Sequence, residues 1–131
     1  MSHVTKIDVV INNLDALAEA CQELGGELLL GVTEYKEYYS KKKCTHCIRF
    51  KGASYEIGVQ AQKDGTFILE ADFWSSGGLT GKVGTGGTKL QQQYKCSAVK
   101  SEMKKKGFKV TKSWEQDGNI QMEFEKARKS Y

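Results

Sequence analysis

Apolar positions along the chain change period several times, and each change marks an element. Val4 to Ile11 is rich in β-branched residues and reads as a strand. Leu14, Leu17, Ala18, Cys21 and Leu24 then recur at helical spacing, with Asp15, Glu19 and Glu23 off the stripe. Asn12 or Asn13 stands where a side-chain oxygen can accept from an orphan helix N–H, and Gly25-Gly26 follows where a left-handed residue ends a helix. Leu28 to Tyr39 reads as one long strand, apolar first and mixed later. Ser40 to Lys43 is a basic turn, Cys44 to Phe50 a returning strand, and Gly52 to Ser54 a turn into Tyr55 to Gln60. Lys63-Asp64-Gly65 turns the chain into Thr66 to Phe73. A glycine-rich loop follows, and Lys89 to Lys106 then reads as a helix with Gln92, Cys96, Val99 and Met103 along one face and Gly107 as its stop. Phe108 to Trp114 and Ile120 to Glu125 pair across Gln116-Asp117-Gly118-Asn119, a hairpin signal. Residues 126–131 form a tail expected to fray.

The predicted order is β-α-β-β-β-β-α-β-β. Antiparallel connections with two interposed helices, each apolar on one stripe, predict an α+β fold: a single, mostly antiparallel sheet with both helices on one face, ferredoxin-like. Residues 1–131 read as a single domain, without internal repeat or linker. At 131 residues and 39% hydrophobic, the chain can bury a real core. Proline is absent, so Gly, Asn, Asp and Ser must make the turns.

Charge and cysteine content narrow the setting. A net charge of +4 is less basic than a dedicated nucleic-acid binder usually shows. No apolar run approaches the roughly 18–20 residues that span a bilayer, so no membrane partner is expected. The N-terminus lacks the basic-then-apolar pattern of a secretory signal. Four cysteines without such a signal favour reduced thiols inside a cell or organelle.

Three blocks carry a resemblance. The opening MSHVTKIDVVINNLDAL, the central YEIGV with ILEADFW, and the late LQQQY followed by KKKGFKV resemble an uncharacterised reading-frame family encoded in red algal plastids, with relatives in cyanobacteria and bacteriophages. That family is catalogued as a domain of unknown function, and the resemblance runs from Met1 to about Val110. It implies a compact α+β domain in the cytoplasm or plastid stroma, with no established activity and no site residues to carry over. The chain departs from the family's usual pattern at Lys41 to Cys47 and in the length of the glycine loop.

That loop is the first candidate for chemistry. Gly77, Gly78, Gly81, Gly84, Gly86 and Gly87 are interleaved with Lys82, Lys89, Thr80, Thr85 and Thr88. Glycines can turn backbone N–H groups toward an anion, and a helix start just beyond favours negative charge. Both standard phosphate fingerprints fail: Gly81-Lys82 is followed by Val83, and Gly84-Thr85-Gly86-Gly87-Thr88 leads into Lys89. The functional reading is a non-standard anion site using Lys82, Thr85, Gly86, Gly87, Thr88 and Lys89, with Trp74 at its entrance. The structural reading, which carries more weight, is a mobile surface loop or a loop used for self-association.

Cys44-Thr45-His46-Cys47 is the second candidate. Two thiolates two residues apart can grip zinc, but a closed site needs two more ligands, from Cys96, His46 or His3. No cofactor is expected; zinc is the alternative this pair leaves open, as is thiol chemistry. The third is a basic set: Lys41, Lys42, Lys43, Arg49 and Lys51, then Lys95, Lys100, Lys104, Lys105, Lys106, Lys109 and Lys112. With Tyr35, Tyr38, Tyr39 and Tyr94 it could form a stacking and phosphate surface for a single strand, but the helix lysines are spread around their helix, and a solvated polar face is the favoured reading. The fourth is Asp72-Phe73-Trp74 at a strand end, where aromatics could stack on a ring or, the commoner use, close the core beneath the loop; Glu70 and Asp72 share one side of the strand as an acid/base pair would, but no activating partner is in view.

The leading expectation is a non-catalytic binding or regulatory module for an anionic ligand (nucleotide, phosphate or nucleic acid) at the glycine-rich loop. The alternatives are a zinc or thiol protein built on Cys44 and Cys47, and a structural module that self-associates through an edge strand.

Overall fold

The computed structural model describes residues 4–38 and 40–127. Strand β1 (Val4–Ile11) leads into helix α1 (Leu14–Glu23). Of the two asparagines, Asn13 is the cap, and its side-chain oxygen accepts from the Ala16 N–H at 3.0 Å. Gly25, at φ +83°, turns the chain out of the helix as expected. Strands β2 (Gly26–Leu30), β3 (Glu34–Lys36), β4 (Lys41–Lys43), β5 (His46–Phe50), β6 (Ile57–Ala61) and β7 (Phe67–Asp72) follow. A strap containing the short helix α2 (Thr80–Val83) leads to α3 (Thr88–Lys105), and the hairpin β8 (Phe108–Gln116) and β9 (Asn119–Lys126) ends the described chain.

Five strands form a sheet in the order β1-β7-β6-β5-β2, with every pairing antiparallel. β1 and β2 lie at opposite edges, so α1 crosses the width of the sheet to connect them. Ile7, Ile11, Ile48, Phe50, Ile57, Val59, Leu69 and Ala71 project from one face into a single core with Leu17, Ala20 and Cys21 of α1 and Leu90 and Tyr94 of α3. The α+β class and the placement of both helices on one face therefore match the sequence pattern.

The expectation of a single sheet is corrected. Besides the main sheet, the described residues form two two-stranded ribbons, β3–β4 and β8–β9. A ferredoxin-like arrangement is not established either, because α3 leads to β8, which pairs outside the main sheet. The stretch from Leu28 to Tyr39, expected as one strand, breaks at Gly31, whose φ of +76° no strand residue adopts; Tyr39 itself lies outside the described residues. Lys41–Lys43, expected as a turn, is β4 instead, pairing with β3.

This ribbon covers the sheet's second face. Tyr35 of β3 is fully buried there, its ring lying flat against Gly58 of β6, where any Cβ would collide with it. Cys44, Cys47, Leu29 and Val32 complete this second, smaller core.

The glycine loop is corrected from a mobile surface segment to a folded strap. It winds through a 3-10 turn at 75–77, α2, and a second 3-10 turn at 85–87. Leu79 and Val83 are wholly buried. Gly77 sits under the Tyr55 ring, and a Cβ on Gly87 would stand 2.8 Å from Ile7. These two glycines are there because the backbone passes too close to a neighbour for any side chain.

α3 also buries a different face from the expected one. Leu90, Tyr94 and Ser97 turn inward. The Tyr94 hydroxyl donates to Asn12 Oδ1 and accepts from the Asn12 N–H, both at 3.0 Å. Gln92, Cys96 and Val99 instead line a groove beside β9. The hairpin turn is as read, with Asp117 and Gly118 at φ +53° and +79°.

Candidate binding surface at the end of the third central strand

β7 carries Glu70 and Asp72 on its second face, under the β3–β4 ribbon, as their alternation indicates. Glu70 Oε1 accepts from the Tyr35 hydroxyl at 2.9 Å and from Gln60 Nε2 at 2.8 Å. Burial, reinforced by Glu70 beside it, raises the Tyr35 phenol above its ordinary range and keeps it protonated. Asp72 is 0% exposed. Its Oδ2 accepts from the Tyr38 N–H at 3.0 Å and its Oδ1 from the Trp74 N–H at 2.9 Å. The two carboxylates thus serve as acceptors that anchor backbone and side chains. That geometry suits anchoring better than the proton transfer their spacing suggested.

Asp72 joins two segments that are remote in sequence. Tyr38 belongs to the turn between β3 and β4, a turn closed by Glu37 N–H to Ser40 C=O at 2.9 Å and by Ser40 N–H to Glu37 Oε1 at 2.8 Å. Trp74 begins the strap. The two rings meet edge to face with centroids 6.1 Å apart and an interplanar angle of 68°. Both stay open to solvent, Tyr38 at 48% and Trp74 at 49% exposure. On the adjoining ribbon Lys36 stands opposite Lys41, and Lys43 opposite Glu34, all exposed.

The fold therefore sets Trp74 against Tyr38, which the sequence had placed in separate candidates, and Tyr38 lies in the turn that joins Lys36 of β3 to Lys41 of β4. Lys36 was missed, although Glu34-Tyr35-Lys36 and Lys41-Lys42-Lys43 face each other across a four-residue turn. Tyr35 and Tyr94 leave the aromatic set because both are buried.

The other loop residues lie elsewhere. The Lys82 ammonium lies beside Gly52, whereas Thr88 and Lys89 line a groove with Leu24, Gln92 and Glu115. Thr85 and Gly86 are exposed on the strap, and Gly87 is buried. The N–H groups of Gly77, Gly78, Lys82, Val83, Gly84 and Gly87 all donate to nearby carbonyls, so they do not point into an anion nest.

The cysteine pair is enclosed. Cys44 Sγ donates to the Val32 carbonyl at 3.4 Å. Burial pushes the Cys44 thiol up to about 11 and the Cys47 thiol up to about 12. That is the opposite of the depression that makes a reactive thiolate. His46 Nδ1 accepts from the Gly31 N–H at 2.9 Å. His3 lies outside the described residues. Among the described residues no three His, Cys, Asp or Glu side chains are grouped to hold a metal ion.

Over 124 residues the chain is 26% identical to the uncharacterized protein ycf35 of Cyanophora paradoxa, spanning 93% of this chain and 94% of that protein. That relative is plastid-encoded, in keeping with the resemblance to an uncharacterised plastid family. No family model matches the chain, and no solved structure matches it. Among the described residues no helix is long and apolar enough to cross a membrane.

Proposed function

We propose that this protein is a non-catalytic binding module for an anionic ligand, single-stranded nucleic acid, held at the Tyr38–Trp74 end of the sheet. The observation that carries the reading is the exposed, mutually contacting Tyr38 and Trp74, whose backbone N–H groups both donate to the buried Asp72, on a turn that joins Lys36 of β3 to Lys41 of β4. Rings held in place before binding lose little freedom when a base stacks on them. Each stacked base is worth about 1–3 kcal/mol, and the lysines supply the salt-dependent attraction to phosphate. The site lies at the entrance of the glycine-rich strap, and the strap's role is to hold Trp74 in place. The plastid-encoded relative supports a setting in the plastid stroma or a cyanobacterium-like cytoplasm.

Anisotropy of a labelled oligothymidine, titrated with the protein at low and moderate salt, tests this reading. Wild type should bind, and binding should weaken as salt rises. Trp74→Ala should weaken it about five- to hundredfold, the loss of one stacked base. Binding that Trp74→Ala leaves unchanged, or no binding at low salt, would refute the proposal.

A further inference from the structure

Among the described residues, the β8–β9 ribbon pairs with no strand of the main sheet and packs on α3. A two-stranded hairpin is marginal by itself and gains independent stability from a third strand or from packing. The face formed by Ile120, Met122 and Phe124 of β9, with Val110 opposite Phe124, is only half-buried. The other face is polar. There Lys109 stands opposite Glu125 and Lys112 opposite Glu123, and the Lys112 ammonium lies 5.1 Å above the Trp114 ring.

One edge of β9 pairs with β8, and among the described residues no strand pairs with the other. Beside that edge a groove of about 360 Å³ runs between β9 and α3, lined by Cys96, Val99, Ile120 and Met122 with Gln92 and Lys95. Val99 is 45% exposed, an apolar side chain facing open space.

We infer that this edge and groove take an extended segment of another protein as a third strand, its inward residues apolar and its outward residues lysine or arginine. An open strand edge offers a row of N–H and C=O groups to an added strand, and alternate side chains of that strand then enter the groove. Charge selects the partner. The outward row along β9 is Gln121, Glu123 and Glu125, all exposed. A second copy of β9 would lay another acidic row beside this one, whereas lysine or arginine beside it is complementary. Lys95, the one charged residue lining the groove, is exposed, so its stem can cover apolar surface while its ammonium stays in water.

The test is an NMR titration of the full chain with two short capped peptides, one alternating valine with lysine and the other valine with glutamate. The lysine peptide should shift and protect the β9 amides and the α3 amides along the groove. The glutamate peptide should bind about tenfold more weakly, the difference expected from two charge pairs. Val99→Glu, a change at an exposed helix position, should abolish lysine-peptide binding while the β8–β9 cross-strand signals persist. Equal affinity for the two peptides, or shifts that spare β9, would overturn the inference. So would sedimentation showing that the free chain self-associates through this edge, which would make a second copy the occupant.

Discussion

Asp72 holds the backbone N–H of Tyr38 with one oxygen and that of Trp74 with the other, and no part of it reaches solvent. Replacing it with alanine strips both amides of their acceptor. An unsatisfied buried donor costs about 1–3 kcal/mol, so Asp72→Ala should lose about 2–4 kcal/mol in urea denaturation. A loss below about 1 kcal/mol would show that the anchor is dispensable. The strap glycines separate in the same way, residue by residue. Gly77→Ala drives a methyl into the Tyr55 ring and should cost about 1–3 kcal/mol. Gly81 lies in α2 with open space where a methyl would stand, no atom coming within 4 Å, so Gly81→Ala should be neutral or stabilise by up to about 1 kcal/mol. Thermal melts of the two variants check this; equal destabilisation would mean that glycine spacing, not close packing, sets the strap. In the sequence the two positions carry the same letter. Which glycine lies under a ring depends on Tyr55, more than twenty residues upstream, and no local pattern reports that.

The elements that were legible in the sequence are those specified by neighbours in the chain. β1, the Gly25 exit and the Asp117-Gly118 hairpin turn are local signals and were read as found; the helix cap was narrowed to Asn12 or Asn13, and Asn13 is the one that caps. The elements misread are those settled at long range. β2 and β3 looked continuous because Leu28 to Tyr39 has strand composition throughout; Gly31 breaks it so that Tyr35 can fold back onto Gly58. α3 was assigned the wrong inner face because its buried side mixes Leu90 with Tyr94 and Ser97, a pattern that becomes apolar only once Tyr94 finds Asn12. The cysteine pair was legible as a motif, but its environment was not. Cys47 on β5 and Cys21 on α1 are both pushed up to about 12 by burial. A thiol whose folded value lies above its unfolded value stabilises the fold fully below the unfolded value, about 8.5, and that contribution is lost as pH rises toward about 12. Stability should therefore decline from about pH 9 upward, as denaturation at stepped pH would show. Alkylation followed by peptide mass spectrometry should label the half-buried Cys96 before Cys21, Cys44 or Cys47. Labelling of native Cys47 as fast as Cys96 would contradict the enclosed pair.

At the scale of the molecule, the β1-α1-β2 crossover and the β5-β6-β7 meander leave the sheet's second face open, and the β3–β4 ribbon closes it. That closure brings the Tyr38 turn to the end of β7 and sets it against Trp74. Trp74, Tyr38 and the Lys41–Lys43 run were each visible in the sequence as candidates. The contact of Trp74 with Tyr38 was not, because it requires the ribbon to fold back over the sheet. Under the proposed function, Trp74 stacks on a base of a bound single strand. The chain has two tryptophans, so Trp114→Phe leaves Trp74 as the sole indole emitter. Titrating that variant with oligothymidine should quench its emission saturably, and added salt should restore it. Emission that stays unchanged across the titration at low salt would contradict the claim.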